Sequence, residues 1–258
     1  MRHIWIVVLV SAVSMIAHVA RADHTSLPAD ITPIRAAWLW GHYAIPGSIT
    51  KDGSPYWYAY PHVDASRIAD PPWTEVASTH IKAGAKTSAV LFLHGCSGMI
   101  RGGVGYRTLL LSEGYALFEP DSFARPGHSC KSSSLKTRRA DAEYALAQIR
   151  KLPWVDQSHV FLIGFSQGGR IVASWEESGF AAHVILAADC GGKSPKAPAE
   201  TPVLAMLGSD DNYYTTSCRI TREIGSSRSI VIEGADHELL SHPEAKQTVS
   251  SFLRECCS

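Results

Sequence analysis

The apolar run His159-Val160-Phe161-Leu162-Ile163, the turn Gly164-Phe165-Ser166-Gln167-Gly168 and the helical stretch Gly169-Arg170-Ile171-Val172-Ala173-Ser174-Trp175 follow one another without a gap. A strand-length run that enters a helix through flanking glycines requires a sharp strand-turn-helix crossing, and the serine hydroxyl then projects from the C-terminal end of a sheet. The glycine spacing alone arises by chance in about one chain in ten of this length. The surrounding pattern must therefore carry the assignment.

From Ser88 onward, short apolar runs alternate with helical patterns, as in parallel strands joined by crossover helices. Strands are expected at 89–93, 115–118, 159–163, 184–188, 203–207 and 229–232. Helices are expected from Tyr106 to Glu113, through Ala142, Ala145, Ile149 and Leu152, and from Pro243 to about Arg254. Ser133 or Ser134 caps the second of these and Pro153 marks its end. The fold class is α/β: six strands buried on both faces form a mostly parallel, doubly wound sheet that binds ligands outside the carboxyl ends of its strands. Ser166 lies at such an end. Residues 23–74 interleave Trp38, Trp40, Tyr43, Tyr56, Trp57, Tyr58, Tyr60 and Trp73 with Gly and Pro, and no regular element is read there. This segment either packs its aromatics on the sheet or covers a substrate site, and 75–258 is the catalytic core of the same single domain.

Met1-Arg2-His3 precedes an apolar stretch from Ile4 to Ala17, and Ala20-Arg21-Ala22 supplies a small-x-small site, so residues 1–22 read as a secretory signal peptide. Cleavage after Ala22 leaves 236 of the 258 residues, enough for one α/β domain. The leader falls short of the ~18 apolar residues of a spanning helix, and no later stretch is apolar enough, so no membrane insertion is expected after cleavage. Lys and Arg (24) balance Asp and Glu (24) without a basic run, which argues against nucleic acid and anionic membranes as partners.

The six cysteines of an exported chain are expected to pair. Cys96 and Cys130 both follow strands whose C-terminal ends share one sheet edge, as do Cys190 and Cys218. Cys96 with Cys130 and Cys190 with Cys218 are the expected bonds, each closing a loop of roughly 30 residues and contributing about 3 to 4 kcal/mol. Cys256 and Cys257 are left unassigned. No Cys-x-x-Cys pair exists, so no metal site is expected.

A serine hydroxyl is a weak nucleophile at neutral pH and needs a histidine base, itself oriented by a carboxylate, in the chain order Ser, acid, His. Leu207-Gly208-Ser209-Asp210-Asp211 ends one expected strand and Glu233-Gly234-Ala235-Asp236-His237 ends the next. His237 is preferred to His242, which precedes Pro243 and reads as a helix-entry residue. Asp211 is preferred to Asp210 because side chains leaving a strand alternate in direction; Asp236 ranks third. The oxyanion of a tetrahedral intermediate needs backbone donors. The Cys96 N–H in the turn His94-Gly95-Cys96-Ser97-Gly98 and the Gln167 N–H at the helix start are the candidate pair, with His94 a loop anchor.

With these residues in place, the chain resembles the α/β-hydrolase superfamily, and within it exported members of the dienelactone hydrolase family. The resemblance spans about Trp73 to Arg254. It rests on His94-Gly95-Cys96-Ser97-Gly98, Pro120-Asp121-Ser122-Phe123, Gly164-Phe165-Ser166-Gln167-Gly168-Gly169, Gly208-Ser209-Asp210-Asp211 and Gly234-Ala235-Asp236-His237. The enzymes that name the family use a cysteine nucleophile where this chain has Ser166, which favours a general carboxylic ester over dienelactone. The resemblance implies a serine esterase that needs no cofactor and acts on small-molecule esters. A serine peptidase of the same fold and a secreted binding protein on a hydrolase scaffold are the competing readings. Only Gly191 to Thr201 separates Cys190 from Pro202, too short for a large lid. Arg125 and Arg170 are candidates for binding a substrate carboxylate.

Overall fold

The computed structural model describes residues 31–59, 73–99, 104–221 and 224–256. The expected leader with its Ala22 cleavage site, Tyr60 and Cys257 lie outside the described residues. The elements in order are α1 (Pro33–Leu39), β1 (His42–Ile45), β2 (Tyr56–Ala59), α2 (Trp73–His80), β3 (Thr87–Leu93), α3 (Val104–Ser112), β4 (Ala116–Glu119) and α4 (Leu135–Ile149). They continue with β5 (Val155–Phe165), α5 (Gln167–Ala173), β6 (Ala182–Leu186), β7 (Val203–Gly208), β8 (Arg228–Ile232) and α6 (Pro243–Glu255).

Among the described residues the strands form one sheet in the order β2-β1-β4-β3-β5-β6-β7-β8. From β4 to β8 all neighbours are parallel, while β1 is antiparallel to both β2 and β4. Alternation along β3 shows why the sheet needs helices on both sides: Ala89, Leu91 and Leu93 enter one core, and Val90 and Phe92 the other. The first core holds Ala142, Ala145 and Ile149 of α4 and Ile171 and Val172 of α5. The second holds Tyr106 and Leu110 of α3 and Val249, Phe252 and Leu253 of α6. The carboxyl ends of β3, β5, β7 and β8 are thereby fixed along one edge. No described helix is long and apolar enough to cross a membrane.

All six expected strands are present, with shifted ends, but β8 is not buried on both faces, because it is the edge strand of the sheet and leaves Ser229 and Val231 exposed. The strand read at 184–188 runs at 182–186, because Ala187 takes a left-handed backbone (φ 49°) while His183 already donates to the Pro202 carbonyl at 2.9 Å. The strand read from Tyr115 starts at Ala116, since the Tyr115 N–H closes the end of α3 on Leu110 O at 3.0 Å. Ser134, not Ser133, caps α4 by accepting from the Thr137 N–H at 3.0 Å, and α4 ends at Ile149, four residues before Pro153.

Residues 31–59, read as irregular, hold α1, β1 and β2. Their aromatics enter the sheet's own core: Trp38 stacks on Phe118 at 6.1 Å, and Phe118 on Trp154 at 5.9 Å. The Tyr43 hydroxyl donates to the Trp38 carbonyl, and burial raises its pKa well above the ordinary tyrosine value. Trp57 is half exposed.

Candidate active site

β5 ends at Phe165 and α5 begins at Gln167, which leaves Ser166 alone in the turn with φ 53° and ψ −116°. A non-glycine residue is held in so sparsely populated a conformation only where its surroundings enforce it. The Ser166 N–H donates to Leu186 O at 2.8 Å, tying the turn to the end of β6. A Cβ on Gly168 would lie 2.0 Å from the Leu93 carbonyl oxygen, so only glycine lets α5 approach β3 this closely.

The loops after β7 and β8 bring the other two residues to the serine. Ser166 Oγ is 2.9 Å from His237 Nε2, and His237 Nδ1 is 2.7 Å from Asp211 Oδ2. The second Asp211 oxygen accepts the Tyr213 N–H at 2.9 Å. The Asp211 side chain is fully buried while His237 keeps about a third of its surface open, so the carboxylate is sheltered and the imidazole reachable. Asp210 is exposed and accepts from Ser209 Oγ at 3.1 Å; Asp236 is exposed and accepts the Glu238 N–H at 2.9 Å. His242 is the residue before α6. The Phe165 ring, 5.2 Å away, and the Tyr213 ring, 5.5 Å away, flank the imidazole.

The turn after β3 reaches the same place, and a Cβ on Gly95 would stand 3.2 Å from Ser166 Cβ. Among the described residues, neither the Cys96 nor the Gln167 backbone N–H donates a hydrogen bond. His94 is 2% exposed, with Nε2 accepting the Ser122 N–H at 3.2 Å and Nδ1 2.8 Å from Gly95 O. Nδ1 also lies 3.1 Å from an Arg138 guanidinium nitrogen, so the imidazole is fixed between the Ser122 N–H, Gly95 O and Arg138 and anchors the turn. The sulfurs of Cys96 and Cys130 are at bonding distance, as are those of Cys190 and Cys218. Such pairs fit an oxidising compartment.

Sequence reasoning missed two buried charged residues of α4, of which Arg138 holds this turn. Arg138 of α4 is 1% exposed and donates to His94 O and to Gln167 Oε1. Burial lowers its pKa to about 10, against the opposing pull of Asp141 and Asp121, so it stays charged at neutral pH. Asp141, also on α4 and buried, accepts two hydrogen bonds from Arg125; burial raises its pKa to about 6. The signal was present: positions 138, 141, 142, 145 and 149 share one helical stripe, and a charged pair on an otherwise apolar stripe marks a buried polar contact. Arg125, a candidate carboxylate binder, is committed to Asp141, whereas Arg170 is exposed.

No protein-family model matches the sequence, and no curated protein is significantly similar to it. Solved structures do resemble it. Est1E from Butyrivibrio proteoclasticus is 15% identical with a TM-score of 0.50, over 67% of this chain and 90% of that one. A Klebsiella pneumoniae subsp. pneumoniae MGH 78578 protein assigned as a dienelactone hydrolase is 17% identical with a TM-score of 0.52, over 69% and 89%. A Bacteroides ovatus ATCC 8483 protein assigned as a dipeptidyl aminopeptidase IV is 12% identical with a TM-score of 0.52, over 67% of this chain and 32% of that one. At these identities the likeness is one of fold, and with the strand order above it shows that the chain has the α/β-hydrolase fold.

Proposed function

We propose that this protein hydrolyses small carboxylic esters through an acyl-enzyme, with Ser166 as nucleophile, His237 as base and Asp211 as its orienting carboxylate. The observation that carries the proposal is the unbroken chain from Ser166 Oγ through His237 to buried Asp211, at 2.9 and 2.7 Å. Ser166 Oγ attacks the ester carbonyl carbon while its proton passes to His237 Nε2. The carbonyl oxygen becomes an oxyanion, held by the Cys96 and Gln167 N–H groups. Collapse breaks the bond to the alcohol, which leaves with the proton from His237. Water then attacks the acyl group on Ser166, its proton goes to His237, and the acid is released as Ser166 recovers its hydrogen.

Asp211 fixes the histidine tautomer with Nε2 free to accept and stabilises the imidazolium as it forms. Only residues 187–202 lie between β6 and β7, with no lid domain among them, which supports small or flexible substrates. The serine at 166 favours general esters over dienelactone. The leader at 1–22 and the paired cysteines support a periplasmic or secreted enzyme.

The test is labelling by a fluorophosphonate probe, with turnover of acetyl to decanoyl chromogenic esters and of dipeptide amides. Wild type should label and hydrolyse the short esters, and Ser166→Ala should do neither. Labelling with peptide turnover alone would assign a peptidase. A folded wild type that does not label would leave a binding protein.

A further inference from the structure

We infer that Arg138 is a positioning residue that closes a ring around the two oxyanion donors and holds them at a fixed separation; the inference rests on the esterase reading. The ring can be followed atom by atom. One Arg138 nitrogen donates to the His94 carbonyl, and His94 is joined through Gly95 to Cys96. Cys96 is bonded to Cys130, whose carbonyl accepts the Gln167 side-chain amide at 3.3 Å. The oxygen of that amide accepts the other Arg138 nitrogen. One donor sits on the β3 turn and the other on α5, with no direct hydrogen bond between those segments through either N–H. Backbone packing of Gly168 on Leu93 and His94 brings the two segments together, and the ring ties their outer ends.

The chemistry of the ring requires arginine. Its two acceptors stand on different segments, and a planar fork bridges them where a lysine ammonium, a single point on a flexible stem, engages one at a time. Phe123 lies beneath the guanidinium at 5.2 Å and limits its tilt. Asp141 and Asp121 act on its charge through space, while the hydrogen bonds of Asp141 go to Arg125. A buried guanidinium bonded to a carbonyl and an amide is costly to desolvate, and a geometric demand on both acceptors gives it a use. The disulfide is the covalent link of the ring, so reduction opens it at the point farthest from Arg138.

The experiment measures kcat and KM on a chromogenic acetate ester, together with thermal unfolding, for Gln167→Ala, Arg138→Lys, the double variant, and Cys96→Ala with Cys130→Ala. Gln167→Ala keeps its backbone N–H and loses only the side-chain strut. Each opening of the ring should lower kcat by about 10- to 100-fold, the scale of a misplaced donor, with KM changed by less than about 3-fold. The double variant should be no slower than the slower single one, since both break the same ring. Gln167→Ala and Arg138→Lys proteins that fold and keep kcat within about 3-fold of wild type, or losses that multiply, would overturn the proposal. If Arg138→Lys does not fold, the cycle between Gln167→Ala and the cysteine pair decides by the same criterion. Hydrogen exchange separates this failure from that of the esterase reading. Amides of 94–99 and 166–170 should lose protection together in Gln167→Ala whether or not the wild type turns over esters, and unchanged protection in both sinks the ring.

Discussion

Asp211 and His237 meet at 2.7 Å, and the aspartate arrives already held, its other oxygen taken by the Tyr213 N–H and its side chain fully buried. Replacing it by Asn keeps the shape but offers an amide where the imidazole needs a carboxylate. Asp211→Asn should lower kcat by about 10⁴-fold with small change in KM, while Asp210→Asn on the exposed neighbour stays within about 3-fold. Steady-state kinetics on one ester, with both variants confirmed folded, check this. Equal losses from the two would reject Asp211 as the acid.

A different cost attaches to the turn itself. A methyl on Gly168 would sit 2.0 Å from Leu93 O and 2.8 Å from His94 O, both backbone atoms with no rotamer to yield. Gly168→Ala should therefore push α5 away from β3 and destabilise the fold by about 3 kcal/mol, at the upper end of overpacking costs. Denaturant unfolding measures it. A stability within about 0.5 kcal/mol of wild type would show that the turn is not packed as described.

The core of this fold was legible because burial on both faces writes continuous apolar runs, and the runs at 89–93, 159–163 and 203–207 allow no other use. Asp211 was legible because it follows such a run, the buried β7, and His237 because it follows the short apolar run of β8, although that edge strand leaves Ser229 and Val231 exposed. Residues 31–59 were not, although Thr32-Pro33 carries the signature of a helix start, with Thr32 Oγ1 accepting the Arg35 N–H and Pro33 at the first helical position. Dense aromatics between Gly and Pro hid the short antiparallel strands β1 and β2, which join the sheet through the pairing of β1 with β4, a tertiary contact. Arg138 was hidden for a related reason. A charged residue on a helix is ordinarily solvated, and the one sequence sign of its burial is its place with Asp141 on the apolar stripe of α4, while its partners follow from what the β3 turn places above it.

Glu119, at the end of β4, is 1% exposed and accepts from Arg107 Nε at 2.7 Å. Burial raises its pKa to about 7, with Arg107 only partly opposing. The folded state thus holds this proton more tightly than the unfolded chain does. The resulting stabilisation is full below the unfolded value near 4.5 and is lost as pH rises through about 7. Between pH 5 and 8, wild type should lose about 2 kcal/mol more stability than Glu119→Gln, which cannot titrate. Comparing the two slopes cancels groups common to both, including His128, whose pKa burial lowers. Parallel curves would mean that Glu119 is already ionised at pH 5.

The Cys190–Cys218 pair should behave unlike the Cys96–Cys130 pair. It fastens the exit of β6 to the loop that carries Asp211, where the Cys190 N–H also donates to Thr216 O at 2.8 Å and Asp189 pairs with Ser217. The bond spans 28 residues, for which loop closure predicts about 3 to 4 kcal/mol. Asp211 itself is fixed by burial and by the Tyr213 N–H, both independent of the sulfurs. Cys190→Ala with Cys218→Ala should therefore lower Tm by about 10 °C while kcat at 25 °C stays within about 3-fold. Calorimetry and kinetics on the same preparation check both halves. A large fall in kcat with little change in Tm would mean that this bond, and not burial with the Tyr213 N–H, sets the position of Asp211.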